Sequence, residues 1–212
     1  MNYRVIHISI TSTCNMRCPN CCYGMNWRSH VYSDIELLKS DVAHFKTLQE
    51  FTITGGEPTT HPNFGEIVQL LRDELPGLEM RIETNGLLYE KWKSFFQMFD
   101  LINVTHYTKD SWSGCLDNTR MVEVISKNHK SVRVIPIVHL ENNKSPKLST
   151  PCGRHDRPHY SQKLQGGLIY GCCIGPGAVG SVGVPVSDKW QDDVSKIILP
   201  CSTCVFGIPK VI

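Results

Sequence analysis

The sequence predicts an α/β fold: a partial (β/α) barrel of about five to six parallel strands, followed by a small second domain. Three observations predict it. Short β-branched runs alternate with amphipathic helical segments, the pattern of a parallel sheet with helices outside. Residues of unusual type fall just after the strands, at the carboxyl end where α/β barrels and open α/β sheets bind ligands. Beyond residue 140 the periodicity stops and the chain becomes rich in glycine, proline and cysteine. We therefore divide the 212 residues into 1–140 and 141–212.

Val5 to Ile10 is the first strand, short and β-branched. Ser33-Asp34-Ile35-Glu36 reads as a capping box, with Ser33 as the cap and Glu36 reaching back. Ile35, Leu38, Val42 and Phe45 then repeat at helical spacing to about Thr47. Phe51 to Thr54 is the second strand and ends at Gly55-Gly56-Glu57-Pro58. Asn63 opens a helix with Phe64, Ile67, Leu71 and Leu75 on one face, stopped by Pro76-Gly77. Leu78, Met80 and Ile82 alternate with polar residues, a third strand ending at Thr84-Asn85-Gly86. A helix carries Leu88, Trp92, Phe95 and Phe99; Leu101 to Thr105 is the fourth strand, ending near His106-Tyr107. A further helix over about Asp117 to Lys127 leads to a fifth strand, Ser131 to Val138, ending at His139. Five strands are too few for a closed eight-stranded barrel, so a partial, TIM-like barrel open along one side is expected.

Composition sets bounds. The formal charge of +2 gives no argument for a nucleic-acid partner. No run of about 18 apolar residues occurs, so no membrane span is expected. Ten cysteines behind an N-terminus without a secretory pattern point to metal or catalysis in a reducing, cytoplasmic setting.

The chemistry starts at Cys14-Asn15-Met16-Arg17-Cys18-Pro19-Asn20-Cys21, three thiols at Cys-x3-Cys-x2-Cys spacing in a loop after a strand. Thiolates so close together suit one face of an iron–sulfur cluster and leave one iron without a protein ligand. A structural zinc site is the alternative, closed by a fourth ligand such as Cys22. Near the other end, Cys152, Gly167, Cys172, Cys201 and Cys204 bring four thiols together from a hairpin-like segment and a terminal turn. Such a set ligates a cluster fully or builds a zinc ribbon, and a glycine-rich unit of this size needs metal to fold. Cys173 is an alternative to Cys172, while Cys22, Cys115 and Cys173 otherwise read as small buried hydrophobes. Cys115 stands apart from these because it follows the fourth strand, on the presumed active face.

The cysteine loop, with Gly55-Gly56-Glu57-Pro58 and His61-Pro62 after the second strand, resembles the radical S-adenosylmethionine (radical SAM) enzymes. Asn20 departs from the pattern, since an aromatic residue usually precedes the third cysteine. The C-terminal cysteines resemble the Twitch domain, the short form of the SPASM extension. The resemblance implies two 4Fe–4S clusters and S-adenosyl-L-methionine (SAM) as cofactors. Cys14, Cys18 and Cys21 would hold the first cluster, and Cys152, Cys172, Cys201 and Cys204 the second. Gly55, Gly56, Glu57 and Pro58 would meet the methionine moiety, with Glu57 fixing the turn or accepting from the ammonium. Thr84 and Asn85 suit ribose hydroxyls or the carboxylate, or form a plain turn. His61 reads as structural.

The implied activity is reductive cleavage of SAM to a 5′-deoxyadenosyl radical that takes a substrate hydrogen atom. A second, fully ligated cluster implies that the substrate radical then gives up an electron, as in a radical SAM oxidoreductase of dehydrogenase type. His106, Tyr107, Arg133 and His139 are candidates for the base by position. The implied partners are a small-molecule or peptide substrate and an external one-electron reductant of the flavodoxin or ferredoxin type. Modification of a peptide, protein or nucleotide is the alternative within the family; the short stretch ahead of the cysteines leaves no room for a domain gripping a leader peptide. A two-cluster electron carrier or a zinc module is the non-enzymatic alternative, and neither would use the glycine turn.

Overall fold

The computed structural model of the chain describes residues 4–18, 31–109, 115–136, 162–170 and 183–195. The strand–helix alternation appears as β1 (Val5–Ser9), α1 (Ile35–Val42), β2 (Glu50–Thr54), α2 (Phe64–Glu74), β3 (Glu79–Thr84), α3 (Tyr89–Phe96), β4 (Leu101–His106), α4 (Thr119–Asn128) and β5 (Val132–Pro136). Later come β6 (Gln162–Gln165), β7 (Leu168–Tyr170), β8 (Gly183–Pro185) and α5 (Trp190–Ser195). The strands form one sheet in the order β5-β4-β3-β2-β1-β6-β7-β8. β1 to β6 run parallel to one another, and β7 and β8 add antiparallel. The sixth parallel strand thus comes from beyond residue 140 and pairs with β1, so the later segment extends the first sheet.

Only one face of this sheet is apolar. Ile6, Ile8 and Ile10, Phe51 and Ile53, Met80 and Ile82, and Ile102 and Val104 join Leu38, Phe45, Phe64, Leu71, Tyr89 and Phe96 in one buried core. Alternation sends the residues between them to the opposite face. There His7, Thr52 and Arg81 lie side by side in register, and Glu83, Asn103 and Arg133 form a second row. Arg81 meets Glu50 at 2.5 Å and Glu79 at 2.9 Å. A parallel sheet is ordinarily apolar on both faces. A polar second face is what a barrel interior needs to hold a polar molecule.

Two local expectations change. The cap of α1 is Asp34, whose carboxylate accepts from Leu37 N–H at 2.8 Å. Ser33 is drawn away, its hydroxyl donating to Ser9 O at 3.2 Å and tying the helix entry to β1. The α-helix also stops at Val42 and tightens to a 3₁₀ turn over Ala43–Phe45.

Trp190 of α5 is 2% exposed, packs edge-on against Phe45 at 5.6 Å and donates its indole N–H to His44 O. Trp190→Ala removes a large buried ring and should destabilise the chain by about 3–5 kcal/mol. An unchanged urea midpoint would mean that α5 is not seated on this core.

Candidate functional site

Three segments converge at the carboxyl end of β1 to β4. The first runs from Thr11 to Cys18. It is stapled at its base, because the chain returns at Val31–Ser33 to pair with it: Ser12 N–H donates to Val31 O (2.9 Å) and Ser33 N–H to Ile10 O (2.9 Å). His61 braces the return, its Nε2 lying 3.3 Å from Ser33 O and its ring meeting Tyr32 edge-on. Burial holds the His61 imidazole below its ordinary pKa. Within the segment Met16 N–H points at Cys14 Sγ (3.4 Å). Cys18 is buried, with Tyr107 Oη at 3.5 Å and Cys115 Sγ at 3.4 Å from its sulfur.

The second segment is the turn after β2, and it is bolted to the first. Gly56 N–H donates to Thr11 O and Glu57 N–H to Thr13 O, each at 2.8 Å. The glycines permit this contact: a Cβ on Gly55 would lie 2.4 Å from Thr11 O, and one on Gly56 2.2 Å from Thr13 O. The Glu57 carboxylate, 1% exposed, fixes the turn from within. Its Oε1 accepts from Thr59 N–H (3.2 Å), the Thr59 hydroxyl (2.6 Å) and the Thr84 hydroxyl (2.7 Å). Its Oε2 accepts from Asn85 N–H (2.7 Å). Burial pushes this carboxyl above the ordinary carboxylate range, and the donors pull it back.

The third segment is the turn after β3. Asn85 Oδ1 accepts from Leu87 N–H at 3.1 Å, and Thr84 Oγ1 accepts from Gly86 N–H at 2.9 Å, the geometry of a plain turn. Asn85 Nδ2 also donates to Asn15 Oδ1 at 2.7 Å, reaching into the cysteine segment. Behind it stands Asn118, buried at the start of α4. Its amide donates to Asn85 O (2.6 Å) and Thr105 O (2.7 Å) and accepts from Tyr107 N–H (2.7 Å). Asn15 and Asn118 carry no sequence signal for this role beyond being polar residues beside a motif and a helix start.

The four candidates for the base separate. Tyr107 reaches the cysteine site, and burial, then the Cys18 sulfur, push its phenol well above its ordinary pKa. Cys115, unassigned by motif, is its neighbour; burial and Cys18 push that thiol up to about 12. His106 turns to α4, with Nε2 at 2.9 Å from the Thr119 hydroxyl. Arg133 is exposed on β5, in register with Asn103 on the polar face. His139, Cys21, Cys22, Cys152, Cys172, Cys173, Cys201 and Cys204 lie outside the described residues. Among the described residues, no group of three or more metal-binding side chains comes together, and no helix is long and apolar enough to cross a membrane.

The cysteine segment and the glycine turn fall inside one stretch, residues 8–108, that matches the Radical SAM superfamily. Residues 8–108 are a radical SAM superfamily domain. The chain is 32% identical over 97 residues to GTP 3′,8-cyclase of Photorhabdus laumondii, covering 42% of this chain and 29% of that protein. It is 31% identical over 90 residues to the tungsten-containing aldehyde ferredoxin oxidoreductase cofactor-modifying protein of Pyrococcus furiosus, 40% of this chain and 24% of that one. These matches thus span less than a third of either relative. In fold the chain is similar to BtrN in complex with AdoMet and 2-DOIA, with a TM-score of 0.65 at 16% identity, over 93% of this chain and 84% of that one.

The donor set fits a radical SAM cluster. Cys14 and Cys18 belong to one short segment held on both sides, and Met16 N–H points at the Cys14 sulfur. Cys21 completes the motif in the sequence.

Proposed function

We propose that the chain is a radical SAM enzyme that abstracts a hydrogen atom from a small polar substrate and oxidises the resulting radical through a second cluster. One observation carries the first half: the Gly-Gly-Glu-Pro turn is hydrogen-bonded backbone to backbone onto the cysteine segment, so both motifs form one rigid unit. When bound, a 4Fe–4S cluster on Cys14, Cys18 and Cys21 together with SAM supplies a 5′-deoxyadenosyl radical. The residues here position and shield. Glu57 holds the turn, Asn85 and Asn118 hold the cysteine segment against β3 and β4, and Gly55 to Pro58, Thr84 and Asn85 edge the SAM site. Among the described base candidates, Tyr107 is the one whose hydroxyl reaches the cysteine segment, beside Cys18.

The polar face of the sheet supports a small polar substrate. Ser9 Oγ and Asn103 Oδ1 are buried there without a hydrogen-bond partner among the described residues. Buried unpaired groups of this kind mark a ligand or ordered water. The second cluster rests on Cys152, Cys172, Cys201 and Cys204 in a Twitch-like domain over 141–212 and would take the electron from the substrate radical, while an external reductant of the flavodoxin or ferredoxin type would supply the first cluster. The likeness to GTP 3′,8-cyclase favours a second reading, a nucleotide substrate, which the same polar face would serve.

Anaerobic reconstitution should give about eight irons per chain, and about four once Cys14, Cys18 and Cys21 are all changed to Ala. SAM with a strong reductant should yield 5′-deoxyadenosine. Tight zinc with no cleavage would overturn the proposal.

A further inference from the structure

Cys115 is not part of any motif, yet it touches the cysteine site. Its sulfur lies 3.4 Å from that of Cys18, three residues ahead of Asn118, whose amide oxygen accepts from Tyr107 N–H. A structural metal needs more ligands than a pair offers, and among the described residues no third metal-binding side chain joins these two. The separation exceeds a disulfide bond, about 2.05 Å, by a side-chain adjustment of little more than an ångström. Exposure is asymmetric: Cys115 is half-buried and Cys18 buried. A reagent therefore meets Cys115 first, with Cys18 waiting behind it.

We propose that Cys115 is the resolving partner of Cys18, and that the two close as a disulfide when the cluster is absent and the surroundings are oxidising. The co-reactant is a low-molecular-weight disulfide. Its S–S bond breaks as one half joins Cys115 and the other leaves as a thiol. Cys18, giving up its proton, then attacks the Cys115 sulfur and expels the second half as a thiol. Two protein thiols lose two electrons and two protons, and one small disulfide becomes two thiols. The bridge withholds a cluster ligand while protecting it from irreversible oxidation to sulfinic acid. It opens again with a dithiol. That Cys18 is a cluster ligand rests on the function proposed above; the bridge itself does not.

The test uses the full chain, reconstituted with iron and sulfide or stripped with a chelator, and an excess of oxidised glutathione as the probe. Free thiols are then blocked with N-ethylmaleimide and the peptides mapped by mass. The stripped chain should give a Cys18–Cys115 peptide as its main cross-link, and the reconstituted chain at least about five-fold less. Iron uptake by the bridged chain should fall by more than half and return after dithiothreitol. In Cys115→Ser, Cys18 should carry glutathione or remain free, with iron uptake intact once reduced. A main cross-link from Cys18 to Cys14, Cys21 or Cys22, or Cys115 left as a stable glutathione adduct, overturns the proposal. A bridge that forms in a chain unable to cleave SAM would instead count against the radical function alone.

Discussion

Glu57→Gln should lower stability by about 2–4 kcal/mol, a large effect for exchanging one oxygen for one nitrogen. Four donors converge on this side chain, three on Oε1 and one on Oε2. All four donate and none accepts. A carboxylate offers acceptors on both oxygens, whereas an amide offers them on one and presents two N–H groups on the other. In the orientation that keeps Oε1, the new amide nitrogen faces Asn85 N–H, donor against donor. In the flipped orientation it faces Thr59 and Thr84. Either way a donor is stranded, and at 1% exposure water cannot replace the lost acceptor. Calorimetry should show Tm falling by roughly 5–15 °C. A shift within a degree or two would mean that the turn holds without its carboxylate.

The same residue shows what the sequence could and could not disclose. Its motif was readable because glycines and a proline after a β-branched run have a local meaning. Its partners were not, because Thr84 and Asn85 belong to the next strand, 27 and 28 residues on. Strands β1 to β5 and their helices were legible from β-branched runs, periodicity and local stop signals. The cap of α1 was not, since Ser33 and Asp34 are adjacent cap formers and only the carbonyl of Ser9, 24 residues earlier, decides between them. The amide relay from Asn15 through Asn85 to Asn118 leaves no period or spacing to detect, and it is what joins the cysteine segment to β3 and β4. β6 is four residues long and too polar to stand out, yet it supplies the sixth parallel strand. Cys115 could be noted for its place after the fourth strand, but its approach to Cys18 depends on a pairing across 97 residues.

Gly56→Ala should be the more damaging change to function. Its added methyl would sit 2.2 Å from Thr13 O, 2.6 Å from Thr13 C and 2.8 Å from Ser12 O. All three are backbone atoms, so no rotamer change relieves the contact, and the cysteine segment or the glycine turn must move by about an ångström to restore ordinary separation. Both hydrogen bonds that couple the two motifs, Gly56 N–H to Thr11 O and Glu57 N–H to Thr13 O, lie at that contact. The displacement therefore falls on Cys14 and on the edge of the proposed SAM site together. A misplacement of this size costs about 100-fold in rate where the reacting groups must be aligned. We expect 5′-deoxyadenosine formation to drop by about that factor or more, with iron at the first site reduced by more than half. Gly77→Ala is the control. Gly77 has φ +83° and nothing within 4 Å of an added Cβ, so alanine there strains the turn after α2 far from the cysteines. It should cost about 1 kcal/mol of stability and leave iron content and cleavage rate unchanged. If Gly56→Ala keeps full iron and the wild-type rate, the two motifs are not one unit, and the geometric basis for the proposed chemistry fails.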